Sequence, residues 1–322
     1  MHVADFERLG LSRSLWDLPS DFTVNGRSNM EILAALDTEA DRCYLPCPEA
    51  GEAAAAPAGS VTHHQDWHSA GIYPETSRDL WIYRPSTDLR GEAAPSVIVF
   101  QDGAAYLDPS GPVRATAVLE SMIRAGELPP TVGVFVNPGR PIGPKGAAPP
   151  ASLEAQRQRS MEYDSCNDTY VRFLESEVLP FVENEIGTRL TADPARRLVA
   201  GISSGGICAF NAAWHAPDVY GRVLCHCGSF TNIRGGHNFP YLVRTTPRKP
   251  IRVLLQSGEG DADILYGNWP NANRDMAAAL AFAGYQARFE FGRGGHSLRH
   301  GGAILAESLR WLLDVSRDEE GR

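Results

Sequence analysis

The pentad Gly201-Ile202-Ser203-Ser204-Gly205 sits between an apolar run, Arg197-Leu198-Val199-Ala200, and a stretch of small apolar residues, Ile207-Cys208-Ala209-Phe210. Strand, tight corner, helix is the local pattern. A serine flanked by glycines at such a corner holds its hydroxyl above the sheet, where it can attack a carbonyl carbon. The spacing centres on Ser203, because a motif centred on Ser204 would need glycine where the chain has Ile202. Ser204 then opens the helix, and its backbone N–H faces the place where negative charge would develop.

A hydroxyl is a weak nucleophile at neutral pH and requires a neighbouring base, which a carboxylate must in turn orient. In sheets of this kind the three groups follow one another as Ser, acid, His, each after the C-terminal end of a strand. His296 follows the last apolar strand directly, in Gly292-Arg293-Gly294-Gly295-His296, and is the expected base. His300, four residues on, is expected to play a supporting or capping part. For the acid, Gln256-Ser257-Gly258-Glu259-Gly260-Asp261-Ala262-Asp263 crowds three carboxylates after one strand. Asp261, just past the turn made by Gly258 and Gly260, is the first choice, with Asp263 and Glu259 still open. A second oxyanion donor is expected from Gly103 or Ala104, in the loop after the buried run Ser96–Phe100; Asp102 is taken as a turn residue without a catalytic role.

These groups need a scaffold, and the hydrophobic pattern describes one. Leu80–Tyr83, Ser96–Phe100, Val132–Val136, Leu198–Ile202, Arg222–Cys227, Ile251–Leu255 and Ala287–Phe291 are short runs apolar on both faces, as in a sheet covered on both sides. Helical spacing lies between them: Val171, Leu174, Val178 and Val182 after a cap at Asp168, then Asn271 to Ala283, then Ala303 to Leu313. Alternation of strand and helix predicts an α/β fold with a doubly wound, mostly parallel sheet.

The chain has 322 residues, 43% hydrophobic and 21% charged, with a net charge of -9, which disfavours nucleic acid or an anionic membrane as partner. No apolar run is long enough to span a bilayer. Residues 1–8 have neither the basic segment nor the apolar core of a signal peptide, so a cytoplasmic location is expected. Residues 1–59 are read as an arm, with a helix starting near Ser28 or Asn29, and an Ala/Pro/Gly-rich linker. The arm is expected to pack on the main domain, residues 60–322, or on a second subunit of a homo-oligomer. His63, His64 and His68 lack accompanying acids or cysteines and are read as a polar lead-in to a strand rather than a metal site. Cys225 and Cys227 would share one face of one strand, a poor geometry for bonding each other, and Cys43 and Cys47 lack a second pair at zinc spacing. All six cysteines are expected to be free.

From about residue 60 to 313 the sequence resembles the esterase group of α/β-hydrolases that includes the enterochelin (ferric siderophore) esterases, with feruloyl esterases and mycolyltransferases as more distant relatives. Val99-Phe100-Gln101-Asp102-Gly103, Arg159-Ser160-Met161-Glu162-Tyr163-Asp164, Ala200–Gly206, Gly228–His237, Gly267-Asn268-Trp269-Pro270 and Gly294-Gly295-His296 carry the likeness. The resemblance implies an α/β-hydrolase that cleaves a small-molecule carboxylic ester with Ser203, His296 and an acid between them, using no metal or organic cofactor. A polar siderophore-like ester or lactone is the preferred substrate; a sugar acetyl or feruloyl ester, or acyl transfer to an alcohol, is the alternative. Arg159, Glu162 and Tyr163 are candidates to grip a polar acyl group, or an Arg159–Glu162 pair to pin the loop. Arg234, His237, Trp269 and Arg293 are candidates for the rim. Enterochelin esterases carry a sizeable β-rich N-terminal domain where this chain has only the arm and linker, which weakens the siderophore assignment and leaves the esterase one intact.

Overall fold

Side chains alternate across a strand, so an apolar run in a central strand must feed two separate cores. In the computed structural model of the protein they do. Val97 and Val99 join Val199, Val223 and Val253 in one buried cluster, while Ile98 and Phe100 join Leu198, Leu224 and Leu254 in a second on the opposite face. The structure describes residues 39–52, 59–91 and 93–314, with short stretches at 23–24, 26–28, 31–32 and 36.

The strands of the main sheet are β1 (Ser60–His68), β2 (Thr76–Arg84), β3 (Ser96–Gln101), β4 (Thr131–Val136), β5 (Arg197–Ile202), β6 (Arg222–His226), β7 (Arg252–Gly260) and β8 (Gln286–Gly295). Across the sheet they run β8-β7-β6-β5-β3-β4-β2, with β1 also on β2. From β3 through β8 every pairing is parallel; β2 joins β4 and β1 antiparallel. Short strands Arg140–Gly143 and Gly146–Ala147 extend the β2 side.

Parallel neighbours require crossovers, and helices supply them on both faces. Helices α1 (Gly103–Leu107) and α2 (Ala115–Arg124) follow β3, and α3 (Leu153–Tyr163) and α4 (Leu179–Ile186) precede β5. Helix α5 (Ser204–His215) follows the corner at Ser203, α6 (Trp269–Phe282) precedes β8, and α7 (Leu305–Leu313) ends the described chain. This is the doubly wound, mostly parallel sheet that the alternation of strand and helix predicts, in the α/β-hydrolase arrangement that the resemblance implies. No helix among the described residues is long and apolar enough to cross a membrane.

Several local expectations are corrected. Asp168 precedes the helix Thr169–Phe173, but its side chain makes no capping bond; Asn167 Oδ1 accepts the Thr169 N–H instead. That helix continues through a π-helical turn, Leu174–Val178, before α4. The helix expected from Ala303 is two, Leu298–Ala303 and α7. His63, His64 and His68 lie in β1 itself, where His63 stacks on Trp81 at 4.6 Å. Ser28 is in a two-residue strand, Arg27–Ser28, paired with Thr23–Val24; Asn29, Met30 and residues 33–35, on which the expected cap and helix fall, lie outside the described residues. Cys227 is not in β6: the strand stops at His226 and Cys227 takes a left-handed φ of 47°. All six cysteines are free.

Candidate active site

The nucleophile corner works because two backbones come closer than any side chain would allow. A Cβ on Gly201 would run into the Gly205 carbonyl, so the chain can fold back from β5 into α5 only with glycine there. Ser203 takes the strain, with φ 58° and ψ -121°, a conformation unfavourable for a residue with a Cβ. Neighbouring backbone holds it: Ser203 N–H donates to the His226 carbonyl at 2.9 Å, and Ser229 N–H donates to the Ser203 carbonyl at 3.1 Å. The Ser203 hydroxyl is thereby fixed over the C-terminal ends of β5 and β6, 3.3 Å from the Ser229 hydroxyl.

Residues 93 positions apart meet at this point. Ser203 Oγ lies 2.9 Å from His296 Nε2. His296 Nδ1 lies 2.6 Å from Asp261 Oδ1, on a carboxylate that is buried to 5% exposure. Asp261 is itself fastened, by the Ala262 N–H at 2.8 Å on one oxygen and the Ser257 hydroxyl at 2.6 Å on the other. Because the Nδ1 side faces a carboxylate, the ring carries its proton there and presents Nε2 as an acceptor to the serine. Trp269, 2% exposed, meets the imidazole edge-on at 5.7 Å and closes one side.

The two competing acids are elsewhere. Glu259 is exposed at the end of β7, and Asp263 is exposed in a two-residue strand paired with Asn268. A turn closed by the Asp261 N–H on the Gly258 carbonyl, 3.1 Å, swings Asp261 inward instead. His300 has a supporting position: its Nδ1 meets Gln256 Nε2 at 3.1 Å, and burial lowers its pKa.

Ser204 begins α5, with its backbone N–H at the mouth of the corner. Of the expected second donors, Ala104 gives its N–H to Asn137 Oδ1 at 3.1 Å, which leaves Gly103 as the candidate. Asp102 is a turn residue, as expected. It adopts a left-handed φ of 56°, and Arg159 grips it with two bonds, 2.9 and 2.7 Å, against the face of Gly205. Asp164 was missed. Burial pushes its carboxyl up, although Arg159, the Ser204 and Ser160 hydroxyls and Arg234 all favour the charged form.

The expected grip on substrate by Glu162 and Tyr163 is overturned. Glu162 is fully buried and pairs with Arg78 at 2.7 Å, taking further bonds from Gln158 and the Gly139 N–H. The Tyr163 hydroxyl donates to the Val136 carbonyl at 3.1 Å, beneath the surface. No Arg159–Glu162 pair forms, because each has a closer partner on another element. Arg159 does border the site. Arg234, with a left-handed φ of 46°, donates to Ser160 Oγ at 3.2 Å. His237 is exposed in a short turn, and Arg293 is exposed near the end of β8.

Cys227 Sγ, Asp261 and His296 present ligand-type atoms within 4.8 Å of one another. Burial, and then the Asp261 charge, hold the Cys227 thiol well above its usual pKa. Two of the three atoms are already committed to the hydrogen-bonded chain.

Comparison with known proteins points the same way. The chain is 27% identical over 264 residues to the Iron(III) enterobactin esterase of Dickeya dadantii (strain 3937), covering 77% of this chain and 54% of that one. It spans about half the length of the curated relatives it matches. Among solved structures, the ferric enterobactin esterase of Salmonella typhimurium shares the fold with a TM-score of 0.63 at 22% identity, over 85% of this chain and 62% of that one. The feruloyl esterase module from Clostridium thermocellum complexed with sinapinate shares it with a TM-score of 0.56 at 14% identity, over 84% of this chain and 93% of that one. Residues 73–312 match the family model described as "Putative esterase", and the protein belongs to that esterase family.

Proposed function

We propose that the protein is a serine esterase that opens a carboxylic ester or lactone through an acyl-enzyme. The observation that carries this reading is the unbroken chain of hydrogen bonds from Ser203 through His296 to Asp261. In the proposed reaction Ser203 Oγ attacks the ester carbonyl while its proton passes to His296 Nε2. The carbonyl oxygen becomes an oxyanion facing the N–H groups of Ser204 and Gly103. Collapse breaks the bond to the alkoxy oxygen, which leaves as the alcohol with the proton from His296. Water then attacks the Ser203 ester by the same path and releases the acid.

Family membership supports the reaction class, and the names of the relatives support a polar substrate. Iron(III) enterobactin esterase is named for a siderophore, and we extend a siderophore-like ester or lactone to this chain as its substrate class. Arg159 and Arg234 at the site are consistent with an ester carrying polar or anionic oxygens. A hydroxycinnamoyl ester is the second reading, favoured by a fold match that covers 93% of a feruloyl esterase module.

The experiment is turnover of activated and natural esters by wild type and Ser203→Ala, with a fluorophosphonate to label the nucleophile. Turnover lost in Ser203→Ala and label recovered on Ser203 are expected. Undiminished turnover in the variant would remove the proposal. Product analysis with and without an alcohol acceptor separates hydrolysis from acyl transfer.

A further inference from the structure

The end of β8 that leads into His296 is glycine-rich, and its ladder to β7 shifts register between Gly258 and Gly260, so the strand partner alone holds it imperfectly. A further hold comes from a segment some 250 residues earlier. Glu39–Cys43 forms a single turn of 3-10 helix that lies against β8, followed by Tyr44. Asp41 Oδ1 accepts the N–H of Gly295, the residue before His296, at 2.7 Å. The Tyr44 hydroxyl accepts the N–H of Arg293 at 3.0 Å, while its ring stacks on His300 at 4.2 Å. Asp41 is 1% exposed, and its second oxygen is buried without a hydrogen-bond partner. A carboxylate so placed is costly unless its position is needed.

The glycines complete the argument. A Cβ on Gly292 would collide with the Tyr44 hydroxyl, and one on Gly294 would lie 2.9 Å from Asp41 Oδ1. This end of β8 is therefore shaped to receive these two side chains. On its other side the Gly295 carbonyl accepts the Cys227 thiol at 3.7 Å, so the residue before the imidazole is held from both directions. The family match begins at residue 73, so the segment that supplies Asp41 and Tyr44 lies outside it.

We infer that Asp41 and Tyr44 are positioning residues for His296: they seat its loop so that the imidazole reaches Ser203 and Asp261 together. This rests on the proposed esterase chemistry. A displacement of about 1 Å at a catalytic group costs on the order of 100-fold in rate, so the seat should be visible in kcat.

The test uses the full chain with Asp41→Ala, Asp41→Asn and Tyr44→Phe, assayed on an activated ester such as p-nitrophenyl acetate, with thermal melts alongside. Asp41→Ala is expected to lower kcat by about tenfold or more, with KM changed by less than about twofold. Asp41→Asn keeps an oxygen for the Gly295 N–H and should recover kcat to within about threefold of wild type. Full kcat in a folded Asp41→Ala, or no recovery in Asp41→Asn, overturns the inference. Should Asp41→Ala fail to fold, Tyr44→Phe decides: it keeps the ring stack, loses the acceptor for the Arg293 N–H, and is expected to lower kcat about threefold at an unchanged melting temperature. Unaltered kcat there would refute the seat. The downfield imidazole N–H resonance, assigned by its loss in His296→Ala, gives a readout independent of turnover. If wild type cleaves no ester yet this resonance broadens in Asp41→Ala and persists in Asp41→Asn, the esterase reading fails and the seat stands.

Discussion

At the scale of the residue, the side chains around Ser203 divide by what each touches. Asp261 holds the imidazole and is fastened by Ser257 and Ala262, with the Cys227 thiol beside it. Asp261→Asn should therefore keep the fold and lower kcat by about 10³–10⁴-fold, because the amide no longer selects the tautomer that leaves Nε2 free; steady-state kinetics on a variant with a wild-type melting curve checks this. Glu162 has the opposite character. With Arg78 fully buried beside it, Glu162→Ala should cost about 3–5 kcal/mol of stability by stranding a buried guanidinium. Denaturant titration should register the loss, and KM of whatever enzyme remains folded should stay near wild type. A large KM effect without destabilisation would restore Glu162 to the substrate. Sequence proximity misled here: Arg159 and Glu162 are three apart on one helix, yet Arg78 lies 84 residues away, a distance over which one sequence carries no pairing signal.

At the scale of the element, the hydrogen-bonded set Ser203, His296 and Asp261 was legible because strand, corner and helix are local patterns and each of the three follows the end of a parallel strand. Choosing Asp261 over Asp263 depended on the turn at Gly258, which the glycine spacing hinted at and the backbone settles. The π-helical turn was not legible, since Leu174 and Val178 fit a regular helix equally well. It has a consequence for stability. Glu177 in this turn receives the Ile72 N–H at 2.6 Å, the Ala70 N–H and the Ser69 hydroxyl at 2.7 Å, and thereby ties down the loop between β1 and β2. Burial alone would raise its pKa, but these donors outweigh burial and lower it. A carboxylate with a lowered folded pKa contributes stability that is present above its unfolded value of about 4.3 and is lost as pH falls through the folded value. Glu177→Gln is thus expected to cost about 1 kcal/mol at pH 7, and its melting temperature should approach that of wild type progressively as pH falls below the unfolded value of about 4.3. Parallel melting curves at every pH would contradict this.

At the scale of the whole molecule, the two cores leave few cysteines within reach of solvent. Cys43 is exposed, Cys166 is half-buried with its pKa pushed up to about 12, and Cys208, Cys225 and Cys227 are fully buried. A thiol reagent such as dithionitrobenzoate should consume about one equivalent rapidly from the native protein, and all six after denaturation. Two or more fast equivalents would mean that a core opens readily. The arm was the least legible part, because Asp41 and Tyr44 find their partners some 250 residues later. The same span has a consequence for biogenesis. The imidazole follows β8 and leans on side chains made some 250 residues earlier. A chain emerging from the ribosome therefore gains an activated hydroxyl only after β8 has been made, 93 residues beyond the serine. Nascent fragments that already contain the serine corner should be inert toward esters until then.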